Sequence, residues 1–238
     1  MEALIGYSFV TLFVIIDPIG CAVIFAALMR GAPEEQRRQA ALRGTMVAAL
    51  LLLAFATGGE WILDILGITL PAFRVAGGIL LFLLATDMVF ARPSGIRTPT
   101  PPEQQEAVHK MDITVFPLAF PLLAGPGALT SIVLLIGKAN SALAVAGVIA
   151  ALAAVMAITA LALLTAPQLM RFLGVTGANV IGRILGIVLA ALAAQLVLDG
   201  FAQYRQDQLS SLSDIKLALP PAAVVSIDSV RSVDMRAR

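Results

Sequence analysis

Six runs of predominantly apolar residues, each about the length that crosses a bilayer as a helix, constrain this chain more than any other feature. They cover about 3–29, 43–66, 71–91, 113–137, 142–164 and 179–201. Inside hydrocarbon every backbone N–H and C=O must be satisfied by the chain itself, so these runs predict an all-α integral membrane fold with six transmembrane helices. Composition agrees: 59% of residues are hydrophobic, 13% are charged and the mean hydropathy is +0.94, whereas soluble domains carry about 25% charged residues. With so few Lys and Arg there is no basic surface for nucleic acid. Cys21 is the single cysteine, which excludes an internal disulfide and a zinc site built on cysteines. The single histidine, His109, lies in a polar loop and reads as a solvated surface residue. No metal or cofactor is expected. No phosphate-binding glycine loop, nucleophile elbow or zinc-helix motif occurs, so the chain is not expected to be an enzyme or an ATP-driven pump by itself.

The polar intervals set the organisation. A charged linker (30–42), a tight turn after Gly67, a polar loop (92–112), a short turn (138–141) and a further loop (165–178) separate the six runs. Residues 1–202 are expected to form one transmembrane domain, and 203–238 a polar, flexible tail. The loops after spans one, three and five hold Arg30, Arg37, Arg38, Arg43, Arg92, Arg97, Lys110 and Arg171, against Lys138, Arg205 and Lys216 near the other face. The excess of positive charge predicts that those loops face the cytoplasm and both termini face outward, into the periplasm of a Gram-negative host. Tyr7 and Trp61 read as interfacial anchors, and Glu60 and Asp64 as interfacial acids.

Inside the first span stands Phe13 to Gly20, FVIIDPIG. An Asp near the bilayer centre costs about 2.5–3.5 kcal/mol on insertion scales, and a Pro removes one helical hydrogen bond. Irregular backbone at that depth is tolerated only where it is buried in protein or lines a wet cavity. Asp17, Pro18, Ile19 and Gly20 therefore read as a break between two half-helices at a solute site, with Cys21 following. The chain then repeats itself: Pro18 is matched by Pro126 in the run PLAFPLLAGPGA, and Arg74 by Arg183. RVAGGILLFLLA from Arg74 and RILGIVLAALAA from Arg183 share the Arg-x-x-Gly spacing. A repeat of three spans must re-enter the membrane from the opposite side, so residues about 3–91 and 113–202 are expected to form inverted repeats with broken helices 1 and 4. Gly125, Pro126, Gly127 and Ala128 would then face the first break at the midplane. The N–H groups of a second half-helix suit a carboxylate and the carbonyls of a first half suit an ammonium, so the expected ligand is a small zwitterion. Thr130 and Ser131, just after the second break, are second-tier candidates: each could bond a ligand or the carbonyl four residues back.

These motifs also carry a resemblance. DPIG in span one, PLAFPLLAGPGA in span four, RVAGGILLFLLATDM in span three and Arg183-x-x-Gly with Leu198-Asp199-Gly200 in span six resemble the MarC family of six-helix bacterial inner-membrane proteins, over almost all of residues 3–202. The resemblance implies proton-coupled secondary transport of small neutral amino acids such as alanine, glycine, serine or threonine across the inner membrane; sodium is the alternative coupling ion. This chain has Cys21 and Val23 where the family often has Asn and Pro.

Asp17 is the candidate coupling residue, because apolar burial disfavours a carboxylate and would let it take a proton in one access state and release it in the other. The alternative is an Asp that only caps the second half-helix. Arg74, Asp87, Arg183 and Asp199 lie near span ends and read as snorkelling residues or structural ion pairs between spans. Thr86 and Gln195 occupy equivalent repeat positions and could bond between spans. A channel or an exporter of another small solute shares the same architecture. An intramembrane aspartyl protease is excluded by the different depths of Asp17 and Asp87, since paired catalytic carboxylates must share a proton at close range.

Overall fold

The computed structural model describes residues 2–90 and 114–218, and no strand occurs among them. His109, the 92–112 loop and residues 219–238 of the tail lie outside the described residues. The helices are α1 (Glu2–Ile16), α2 (Pro18–Leu28), α3 (Glu34–Ile65), α4 (Leu70–Phe90), α5 (Pro126–Gly137), α6 (Ala142–Leu164) and α7 (Ala166–Ala218), with a Phe-Pro segment, Thr114–Leu123, ahead of α5. Five stretches are long and apolar enough to cross a membrane: Glu2–Leu28, Glu34–Ile65, Leu70–Phe90, Ala142–Leu164 and Asn179–Ser210. The Phe-Pro segment and α5, bent by 57°, add a sixth if the bent pair is one span.

Two polar intervals turn out to be helical. α3 begins at Glu34, inside the stretch read as a linker, because Glu34 to Ala41 (EEQRRQAA) are strong helix formers and two acids open the first turn. α7 begins at Ala166, so the expected 165–178 loop is helix interrupted at Gly174 (φ 63, ψ 176), a conformation open to Gly. The same helix runs past Phe201 to Ala218.

Apolar residues cover all sides of these helices, so burial rather than pattern separates core from lipid face. Leu12, Ile16, Phe25, Leu52, Leu118 and Ile132 are fully buried, while Trp61, Phe82, Phe90 and Ile187 are exposed on the outside. The most extensive contact joins α4 and α7, which run antiparallel: Gly200 meets Pro71 and Val75, Gly78 meets Ala193 and Val197, and Gly186 meets Met88 and Val89. A Cβ on Gly78 would stand 2.9 Å from the Ala193 carbonyl oxygen, and one on Gly200 would stand 3.0 Å from that of Pro71. Small residues let membrane helices approach at backbone distance, where dispersion replaces the missing hydrophobic drive. α1 packs on α6, the Phe-Pro segment on α3, and α2 and α5 each contact α3 or α6 as well as α7 or α4.

Candidate functional site

The first irregularity is a single residue. Asp17 has φ 51 and ψ 72, the left-handed region that Asp tolerates better than most side chains. Pro18 disfavours right-handed helix at the residue before it and takes the first helical position of α2, where no N–H is needed. The Asp17 carboxylate turns onto the new helix start, and its Oδ1 accepts from the Gly20 N–H at 3.0 Å. A Cβ on Gly20 would collide with that carboxylate, which is why the cap fits only glycine there. Backbone bonds run through on both sides, from Asp17 N to Phe13 O and from Cys21 N to Asp17 O, both 2.9 Å. The break expected over Asp17 to Gly20 is thus narrowed: Pro18, Ile19 and Gly20 belong to the first turn of α2, and the distortion sits in Asp17, 1% exposed.

The second irregularity is larger. Phe116 (φ −126, ψ 128) and Phe120 (φ −132, ψ 130) are extended, each immediately before a proline, Pro117 and Pro121, that disfavours the helical conformation behind it. α5 then starts at Pro126, and Gly125 (φ −71, ψ 169) supplies no side-chain cap. First-turn N–H groups have no partner within their own helix, so α5 presents them uncapped where α2 has its carboxylate. A cavity of about 20 Å³, room for about one water, lies here, lined among others by Ile15, Leu80, Leu84, Pro121, Gly125 and Gly127. Ala128 also lines it, whereas Asp17 to Cys21 do not. Cys21, fully buried, stands between the two irregularities: its Sγ donates to Ile16 O at 3.0 Å and lies 4.0 Å from Leu122 O.

Next to it, a cleft of similar size is lined by Tyr7, Thr11, Ile15, Ser131, Lys138 and Leu192 among others. Ser131, 2% exposed, has a hydroxyl with no hydrogen-bond partner, whereas Thr130 bonds back to Pro126 O at 2.9 Å. At its mouth the Lys138 ammonium lies 5.1 Å from the centre of the Tyr7 ring. Ile15 lines both spaces and stands between them. Thr11, Ile15 and Lys138 escaped the sequence reading of the site. Their signal was spacing: Thr11 and Ile15 are one helical turn apart, on one face, just ahead of Asp17.

The model of the MarC family of integral membrane proteins matches residues 2–204. The chain is 37% identical over 195 residues to a UPF0056 membrane protein of Methanocaldococcus jannaschii, covering 82% of this chain and 85% of that one. It is 32% identical to the UPF0056 membrane protein YvbG of Bacillus subtilis (83% and 93% covered) and 31% identical to the UPF0056 inner membrane protein YhgN of Escherichia coli (82% and 94% covered). The chain belongs to the MarC family. No solved structure matches it.

The intramembrane charges of this MarC protein are arranged differently from the expectation of paired ions. The antiparallel α4 and α7 bring Arg74 and Asp199 to one end of their contact, beside the Val75–Gly200 crossing. Yet among the described residues no ion pair joins Arg74, Asp87, Arg183 or Asp199 to another residue. Asp199 Oδ1 instead accepts from Gln195 Nε2 at 2.7 Å, one turn back on its own helix, and the buried Arg74 Nε has no partner. Thr86 likewise bonds within α4, to Phe82 O at 2.8 Å, so neither it nor Gln195 makes the bond between spans that the repeat suggested.

Proposed function

We infer that this MarC protein is a secondary transporter of small neutral amino acids, of the alanine, glycine, serine and threonine class, working by alternating access at a site beside Gly125–Ala128. The observation that carries the reading is the uncapped start of α5 at a 57° bend, opening on a cavity walled by Ile15 and Leu80. Unsatisfied N–H groups and the positive end of a helix dipole favour a carboxylate there. Ser131, with a buried hydroxyl and no partner, lines the neighbouring cleft on the other side of Ile15 and offers a second polar contact once Ile15 moves aside.

The packing supports an inverted repeat. Exchanging α1 with the Phe-Pro segment, α2 with α5, α3 with α6, and α4 with α7 turns one half's set of major contacts into the other's: α1 on α6 becomes the Phe-Pro segment on α3, and α2 on α7 becomes α5 on α4. Such repeats place a solute site near the bilayer midplane. The cavity at the bend holds about one water, so this conformation is closed to an amino acid, and transport requires Ile15 and its neighbours to part.

Asp17 is the coupling residue in this reading. Its carboxylate accepts a hydrogen bond from the start of α2, and bonds to an ionised acceptor are about twice as strong as neutral ones. In this reading the proton that Asp17 takes up in one access state and releases in the other is the coupled ion. The orientation, with both termini outside, follows from the Lys and Arg distribution.

The test is uptake of radiolabelled alanine and glycine into proteoliposomes under an imposed pH gradient, comparing the native chain with Asp17→Asn. Concentrative uptake in the native chain and equilibration only in the variant is the expected result. Concentrative uptake that survives in Asp17→Asn leaves Asp17 as a cap alone. Uptake of neither amino acid would overturn the substrate assignment, and a channel would equilibrate its solute without ever concentrating it.

A further inference from the structure

At the end of the bundle where α2 and α6 finish and α3 and α7 begin, a cavity of about 380 Å³ is lined by Phe25, Glu34, Arg37, Arg38, Leu163, Leu164, Pro167, Gln168 and Arg171. It is separate from both spaces around Ile15. Its chemistry is two-sided. Arg37 and Arg38 near the start of α3 and Arg171 near the start of α7 line it, against the single acid Glu34. Apolar side chains complete the lining: Leu164, 37% exposed, and Phe25 and Leu163, each 1% exposed.

We propose that this cavity binds the phosphodiester headgroup of an anionic phospholipid, with the lipid's glycerol and upper acyl carbons against Leu164. Three arguments select that occupant. The rim carries an excess of positive charge, and guanidinium is the side chain whose paired N–H donors match phosphate oxygens two at a time. The cavity stands at helix ends, the depth of lipid headgroups, and basic pockets between transmembrane helices are where anionic headgroups lodge. The exposed Leu164 beside the arginines serves an amphiphile and would be wasted on a free inorganic ion. Bound there, one lipid touches α2, α3, α6 and α7 together and so clamps helices from both halves of the chain.

Native mass spectrometry of the full chain in detergent tests this with three probes: short-chain phosphatidylglycerol, phosphatidylcholine of the same chain length, and inorganic phosphate. Phosphatidylglycerol should be retained in preference to phosphatidylcholine, and millimolar phosphate should not displace it. The double variant Arg37→Gln with Arg171→Gln should lose roughly 25-fold in apparent affinity, at about fivefold per charge near an anionic lipid. Arg43→Gln, a charge change outside the cavity, should leave retention unchanged. Equal retention of the two lipids, or unchanged affinity in the double variant, overturns the proposal; ready displacement by phosphate reassigns the cavity to a free phosphate ion. If the double variant fails to fold, the lipid preference and the phosphate competition in the native chain still decide the question.

Discussion

Substitutions at Asp17 should separate the cap from the backbone it caps. Three effects meet at this residue: a side-chain oxygen bonded to Gly20 N–H, a left-handed φ of 51°, and burial to 1% exposure. Asp17→Asn keeps a side-chain acceptor and a residue that tolerates the left-handed region, so it should stay within about 0.5 kcal/mol of the native chain. Asp17→Gly loses the acceptor but sits in the left-handed region at no steric cost, and cap-to-Gly changes cost only about a few tenths of a kcal/mol. Asp17→Ala loses both. A missing cap costs about 1 kcal/mol, and a left-handed residue with a Cβ about 1–2 more, so the sum is about 2–3 kcal/mol. Thermal unfolding of the purified chains in one detergent, followed by the loss of the monodisperse peak in size-exclusion chromatography, should rank them native and Asn first, Gly close behind, Ala clearly last. Ala equal to Gly would refute the left-handed backbone argument. Asn as damaging as Ala would mean that the charge itself holds the break, and an Asn transport assay could then no longer isolate coupling.

Other positions give independent checks. Gly78→Ala should destabilise by about 1–3 kcal/mol, since its Cβ would meet the Ala193 carbonyl at 2.9 Å and backbone cannot step aside; Gly58→Ala, with nothing within 4 Å, should be neutral or slightly stabilising in the same melting assay. Ser131→Ala removes a buried hydroxyl that has no partner, so stability should hold or rise by about 1 kcal/mol while alanine uptake falls; a stability loss with unchanged uptake would remove Ser131 from the site. Cys21, fully buried, should resist N-ethylmaleimide in the intact protein and label only after denaturation in SDS.

The spans were legible in the sequence because lipid penalises every polar interruption, leaving long apolar runs as the trace of the fold. Asp17 stood out for the same reason, and so did Gly125-Pro126. What the sequence obscured has a different physical origin. The helices of α3 and α7 extend beyond their apolar runs on helix propensity, which hydropathy does not register. The local bond of Asp199 to Gln195, four residues back, depends on rotamers that no spacing argument fixes. Thr11, Ile15 and Lys138 matter only once α1 and α5 are side by side, and Arg37 and Arg171, which line one cavity, lie more than half the chain apart in sequence.

The exchange of partners between the halves has a mechanical consequence. α4 lies chiefly against α7 and α5, α1 against α6, and α3 against the Phe-Pro segment. Residues 2–90 therefore own no self-contained core, and neither half can swing as a block without tearing contacts that the other half completes. Any rigid unit of this chain that moves has to be assembled from both halves, and α4 with α7, locked by Gly78, Gly186 and Gly200 at backbone distance, is the natural lever for the transport proposed above. Synthesis faces the same constraint: α4 enters the membrane with its glycine face open and waits for the last span to close it.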